Sequence, residues 1–126
     1  MSSAARSLFV FGIYVVSAGL ALVLAPQLVL KLLTFPPAAD GWVRVAGVLA
    51  LFIGFYHIVG ALYHLEPYIR ATVYARIALA VIFGAFVALR VMPAPLLVFG
   101  LADLLGAAWT SYALRTQSTR TAAPVG

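Results

Sequence analysis

His57, Arg76 and Asp103 each interrupt a long apolar run, the kind of place where an ionisable side chain is costly. A charge at the centre of a hydrocarbon layer costs about 3 kcal/mol on insertion scales. Such a group must therefore face protein and find a partner, or hold a proton. Asp103 is the deepest of the three. Gly106, Ala107 and Thr110 share its helical face, so a neighbouring helix can come close there. Arg76 is its expected partner, with Gln27 second. Arg76 has a competing option, which is to snorkel along its own stem to the membrane surface. Arg44 lies one turn inside the opposite surface and suits the anchoring of head groups. Its face also carries Gly47, Leu51 and Gly54, which leaves room for a lipid or substrate head group.

Counting from each turn matches depths across the chain. Tyr56, His57, Tyr74, Arg76, Trp109 and Thr110 fall in one layer, and Gln27 near the depth of Asp103. The candidate binding residues are therefore Arg44, His57, Arg76, Asp103 and Trp109, and no catalytic set emerges. Metal and haem are not expected. His57 and His64 share a helix face about 10 Å apart along the axis, too far to chelate one ion. The other acidic side chains are only Asp40 and Glu66, and no c-type haem attachment motif is present. His57 reads as a hydrogen-bonded core residue. Trp42, Tyr63, Tyr68 and Tyr112 read as interfacial belt residues.

These residues must be positioned by apolar blocks at 8–33, 42–63, 71–92 and 94–114, each long enough to cross a layer of about 30 Å. Hydrophobic residues make up 65% of the chain and charged residues 9%. A soluble domain carries about a quarter charged residues, so water is not the main solvent here. The net charge of +5 comes from scattered cations, with no basic run on a polar face, so nucleic acid is not an expected partner. The expected partners are membrane lipids, a second copy of the chain, or another membrane protein. The absence of cysteine excludes disulfides, thiolate metal sites and dithiol redox chemistry within the chain. The first block runs well beyond the length of a signal-peptide core, so a retained helix is expected.

The expected fold class is all-α, a four-helix transmembrane bundle running up-down-up-down with short loops. Helices are expected at about 7–33, 42–64, 70–92 and 94–114, within one domain over 1–114. Pro26 should kink the first helix near residue 22, and Asp40 should cap the second. Glu66-Pro67 should break the chain before the third helix, and the polar tail 115–126 should be disordered. Short connections should make consecutive helices neighbours. Small residues four apart mark close-packing stripes at Ser17, Ala21 and Ala25; at Ala46, Ala50 and Gly54; and at Ala80, Gly84 and Ala88. The cations bias the orientation. Arg6, Arg70, Arg76, Arg115 and Arg120 fall on one side and Lys31, Arg44 and Arg90 on the other, which favours cytoplasmic termini.

The segment Arg44-Val45-Ala46-Gly47 opening the second helix, with Thr72-Val73-Tyr74-Ala75-Arg76 in the third, resembles small bacterial four-helix membrane proteins of the DoxX-like group. The shared feature is an arginine one turn inside a helix, followed by small residues and glycine. The resemblance spans about 42–114 and implies a four-helix bundle of the bacterial inner membrane. Most of that group lacks an assigned activity, and some members are described as membrane subunits of redox complexes.

Three functional readings stand open at this level. The first is a non-enzymatic accessory subunit or binder of a lipid-like molecule. The second is a small proton-coupled transporter of the multidrug type, with Asp103 standing in for the acid such proteins carry in their first helix. The third is an intramembrane lipid or isoprenoid enzyme, with His57, Arg76 and Asp103 as acid, anion holder and base.

Overall fold

The computed structural model describes residues 1–122, with side chains through residue 117. It contains five α-helices: α1 Ser3–Leu24, α2 Pro26–Leu32, α3 Asp40–Leu62, α4 Glu66–Ala88 and α5 Leu96–Ala122. The class is all-α. Helices α1, α3, α4 and α5 are each long and apolar enough to cross a membrane. The protein is a polytopic membrane protein, and its outward faces are apolar. Leu49, Phe52, Val81, Leu101 and Leu105 all lie exposed on them.

The helix ends differ from expectation for local reasons. Helix α1 begins at Ser3 rather than residue 7, because the Ser2 hydroxyl accepts from the Ala5 N–H at 3.1 Å and caps the helix early. Pro26 does more than kink the first span. Ala25 leaves helical geometry (φ −142°, ψ 63°), and Pro26 opens the separate short helix α2, where its missing N–H costs nothing. Asp40 is not the cap of α3. Ala39 holds that position, and Asp40 is the first helical residue, where its charge suits the positive end of the helix dipole. The expected break between these spans falls at residues 63–65, just before Glu66 and Pro67, which open α4, so α4 covers 66–88 instead of 70–92.

Helix α5 continues past residue 114 through Ala122, against the expectation of a disordered tail; residues 123–126 lie outside the described part. The reason is contact with α1. Ala113 and Leu114 are buried in the core, and the Gln117 carboxamide oxygen accepts from the Ala4 N–H at 2.8 Å, satisfying a free donor of the first turn of α1.

The packing order is α3–α1–α5–α4. Helices α1 and α3 run antiparallel and touch along glycines. A Cβ at Gly19 would lie 2.6 Å from the Gly47 carbonyl oxygen, and one at Gly54 would lie 2.9 Å from that of Gly12. The two seven-residue spacings, 12 to 19 and 47 to 54, thus form one seam where backbones meet. The expected stripe Ser17–Ala21–Ala25 is not that seam: Ser17 is exposed and returns its hydroxyl to the Ile13 carbonyl. Gly84 of the α4 stripe faces open space.

A core of Ala5, Leu8, Ala61, Ile69, Ala107 and Ala113 draws all four spans together at the end where α1 begins. Away from it α3 and α4 part. They follow each other in sequence, yet they are barely in contact, contrary to the expectation that every consecutive pair packs together.

Candidate functional site

The parting of α3 and α4 leaves a cleft of about 580 Å³, with α1 and α5 as its floor. Small side chains keep it open: Ala46 and Ala50 on the α3 wall, Ala71 and Ala75 on the α4 wall. Phe83, Leu96 and Phe99 line its far end. His57, Arg76 and Asp103 all reach this one space, from α3, α4 and α5 respectively. Two predicted residues lie elsewhere. Trp109 is 46% exposed on the outside of α5 and does not line the cleft. Arg44 sits at the α2–α3 turn, where its Nη1 donates to the Val23 carbonyl just before the helix break and its Nη2 lies 4.0 Å from Asp40. The space that its face seemed to offer a head group is taken by α1, packed on Gly47 and Gly54.

Arg76 does not snorkel. It is 3% exposed, and its Nε donates to the Thr72 carbonyl at 3.1 Å. Its Nη2 donates to the hydroxyls of Thr72 at 3.2 Å and Thr110 at 2.9 Å. The Ser7 hydroxyl donates to the Ala4 carbonyl at 2.7 Å, so the 2.7 Å bond between Ser7 and Thr110 must be donated by Thr110. The chain therefore runs one way, from Arg76 through Thr110 and Ser7 to the backbone of α1. The Thr72 hydroxyl closes the other branch on the Ile69 carbonyl at 2.7 Å. The Phe11 ring lies under the guanidinium, with Cζ 4.7 Å from its centroid, and Gly106 leaves room beside Nη1. Nη1 is buried and has no hydrogen-bond partner among the described residues.

Asp103 is 9% exposed, and among the described residues its carboxylate takes part in no hydrogen bond and no ion pair within 4.0 Å. The expected close pair with Arg76 does not form, because Thr72 and Thr110 hold the guanidinium near the closed end. The second expected partner, Gln27, is also elsewhere. The break at Ala25 carries it to the α2–α3 turn, where it donates to the Ala38 carbonyl at 2.7 Å and to Asp40. His57 is buried, with Nδ1 2.9 Å from the Tyr68 hydroxyl and its ring 5.9 Å from Phe11.

The depth layer read from the sequence splits in two. His57, Arg76 and Thr110 turn inward, while Tyr56, Tyr74 and Trp109 turn out to lipid. Tyr68 turns inward rather than joining the belt, since Gly60 gives its ring a place on α3. Phe11, Thr72 and Ser7 complete the site without having been singled out. For Ser7 and Thr72 the available signal was a hydroxyl at the inward depth of Arg76; Phe11 carried none.

The cleft thus has apolar walls, and two of its lining residues, Arg76 through the buried Nη1 and Asp103 through its carboxylate, carry polar groups without hydrogen-bond partners among the described residues. No family model, curated protein or solved structure matches this chain.

Proposed function

We propose that the protein binds one lipid-like molecule in the cleft between α3 and α4, as a non-enzymatic membrane binder or accessory subunit. The observation that carries this reading is that Arg76 and Asp103 both line one largely apolar cleft, while Arg76 Nη1 and the Asp103 carboxylate lack hydrogen-bond partners among the described residues. Buried polar groups are ordinarily satisfied, and those left over inside a cavity mark what a ligand supplies. The ligand's polar end would accept from Arg76 and donate to Asp103, as a hydroxyl, amide or protonated acid group can. Its hydrocarbon part would lie along Ala46, Ala50, Ala75 and Phe83. A volume near 580 Å³ falls within the range of small-molecule sites and suits one chain better than two.

The site lies within the bilayer, so the ligand would enter sideways between the helices. Placement in a bacterial inner membrane with cytoplasmic termini, and membership of the DoxX-like group, belong to the same proposal. They rest on the cation bias and the residue pattern around Arg44 and Arg76.

The test is native mass spectrometry of protein gently extracted from membranes, followed by solvent extraction of what it carries. The wild-type chain is expected to retain a single-chain molecule, and Ala75→Trp, which fills the cleft, is expected to lose it while melting at the same temperature. Identical adducts on both proteins would refute the reading.

A second reading, proton-coupled transport, draws on the Asp103 carboxylate, which has no hydrogen bond or ion pair among the described residues, in a cleft between spanning helices. In proteoliposomes it requires proton-driven uptake that Asp103→Asn abolishes; uptake that survives the substitution removes Asp103 from such a mechanism.

A further inference from the structure

A second groove lies on the outer side of α4, against α5, at the end where α1 begins and α5 ends. It encloses about 650 Å³ and is separate from the α3–α4 cleft. Arg70 of α4 lines it together with Arg115 and Ser111 of α5, the two arginines near the ends of their spans. Arg70 is held in place by Glu66, one turn back, at 2.8 Å, and its side chain stays half exposed. The groove is also lined by Leu114 beside Arg115 and, one and two turns inward from Arg70 along α4, by Val73 and Ile77. The Tyr74 ring is 75% exposed along its edge, an aromatic at the depth where chain meets head group.

Two guanidiniums from adjacent helices, set at the mouth of an apolar groove, complement a phosphate with a hydrocarbon chain attached. Arginine is the cation best matched to phosphate oxygens, because its planar fork can donate two hydrogen bonds at once. Basic pockets between spanning helices are a recurring way of holding anionic lipid head groups. We propose that this groove is a specific site for an anionic phospholipid, its phosphate between Arg70 and Arg115 and one acyl chain along Val73 and Ile77. A head group with an added ammonium would gain less, since that ammonium would meet the same two arginines.

The test is native mass spectrometry of the full chain in mixed micelles of phosphatidylglycerol and phosphatidylcholine at equal mole fraction. Each arginine near a lipid surface contributes about five-fold to the retention of an anionic lipid, so about 25-fold is expected from two. The wild-type chain should retain phosphatidylglycerol over phosphatidylcholine by about that factor. Arg70→Gln with Arg115→Gln should erase the preference, and Arg70→Lys with Arg115→Lys should keep most of it. Ala75→Trp, which fills the other cleft, should leave the preference unchanged, which separates this site from the ligand proposed above. Equal retention of the two lipids by the wild-type chain would overturn the proposal without recourse to any variant. Loss of phosphatidylglycerol to an equal concentration of inorganic phosphate would overturn it too, by showing that the arginines take a free anion.

Discussion

At the scale of single residues, the fate of Arg76 turns on two hydroxyls that hydrogen-bond to it. Thr110 sits between Arg76 and Ser7, accepting from one and donating to the other, so its hydroxyl connects α4, α5 and α1. Thr110→Val keeps the shape and removes both bonds. It is expected to lower stability in detergent by about 1 to 2 kcal/mol, read from thermal unfolding, given what interhelical hydrogen bonds contribute in membranes. No change would mean that Arg76 is held by Thr72 alone.

Asp103 should behave in the opposite way. Asn is nearly isosteric and uncharged, and no hydrogen bond is lost, so Asp103→Asn should melt at the same temperature as the wild-type chain or higher. A marked loss of stability would place its carboxylate in the structural framework instead of the binding site. That His57, Arg76 and Asp103 must face inward was legible in the sequence, because charge in oil permits little else. Which partners they take was not. Arg76 donates to the hydroxyls of Thr72 and Thr110, and sequence depth alone cannot rank a threonine at 2.9 Å above a carboxylate two turns farther along α5.

At the scale of elements, three helices end without the glycine that usually marks such a stop. Thr34, His64 and Arg90 adopt left-handed backbone with φ of 63°, 52° and 59°. In each case the following N–H reaches the carbonyl five residues back: Phe35 to Leu30 at 2.8 Å, Leu65 to Gly60 at 3.0 Å and Val91 to Phe86 at 2.9 Å. This is the Schellman pattern, and the side chain at the left-handed position costs about 1 kcal/mol. Arg90 lines neither proposed site, so Arg90→Gly is expected to raise the unfolding temperature in detergent; a fall would show that its side chain contributes more than its backbone costs.

The glycines inside helices divide by what they face. Gly19→Val would drive a side chain into the Gly47 carbonyl and the backbone of Leu51, and should cost about 2 kcal/mol or more. Gly84→Ala meets nothing and should stabilise α4 by up to about 1 kcal/mol. Unfolding of the two variants side by side checks the seam, and equal effects would place it elsewhere. The spans themselves were readable from length and hydropathy. Their ends were displaced by about two to nine residues, because Ser2, Pro26, Pro67 and Gln117 act through caps, breaks and contacts that hydropathy does not register.

At the scale of the whole molecule, the four spans meet at one end, and away from it α3 and α4 part while the pairs α1–α3 and α4–α5 stay packed. Short loops constrain where a chain can return, but not how closely the returning helix packs. Glycines join α1 to α3, while α4 finds its partner in α5, and the α3–α4 connection is left to bridge a cleft. The bundle architecture could be read from the chain, and this opening could not, since nothing in a single span records which of its neighbours it will decline. Both proposed ligand sites follow from the resulting arrangement, one inside the parted pair and one outside the α4–α5 pair.

The chain has no cysteine, so single cysteines for spin labels can be introduced without removing any. The decisive measurement is the oxygen accessibility of labels at Ala50 and Ala75, on facing walls of the cleft, in a reconstituted bilayer, with Leu49 as a lipid-facing reference and Ala107 as a buried one. The expected result is that both cleft positions approach the value at Leu49. Values as low as that at Ala107 would mean that α3 and α4 close against each other, leaving no room for a ligand between them.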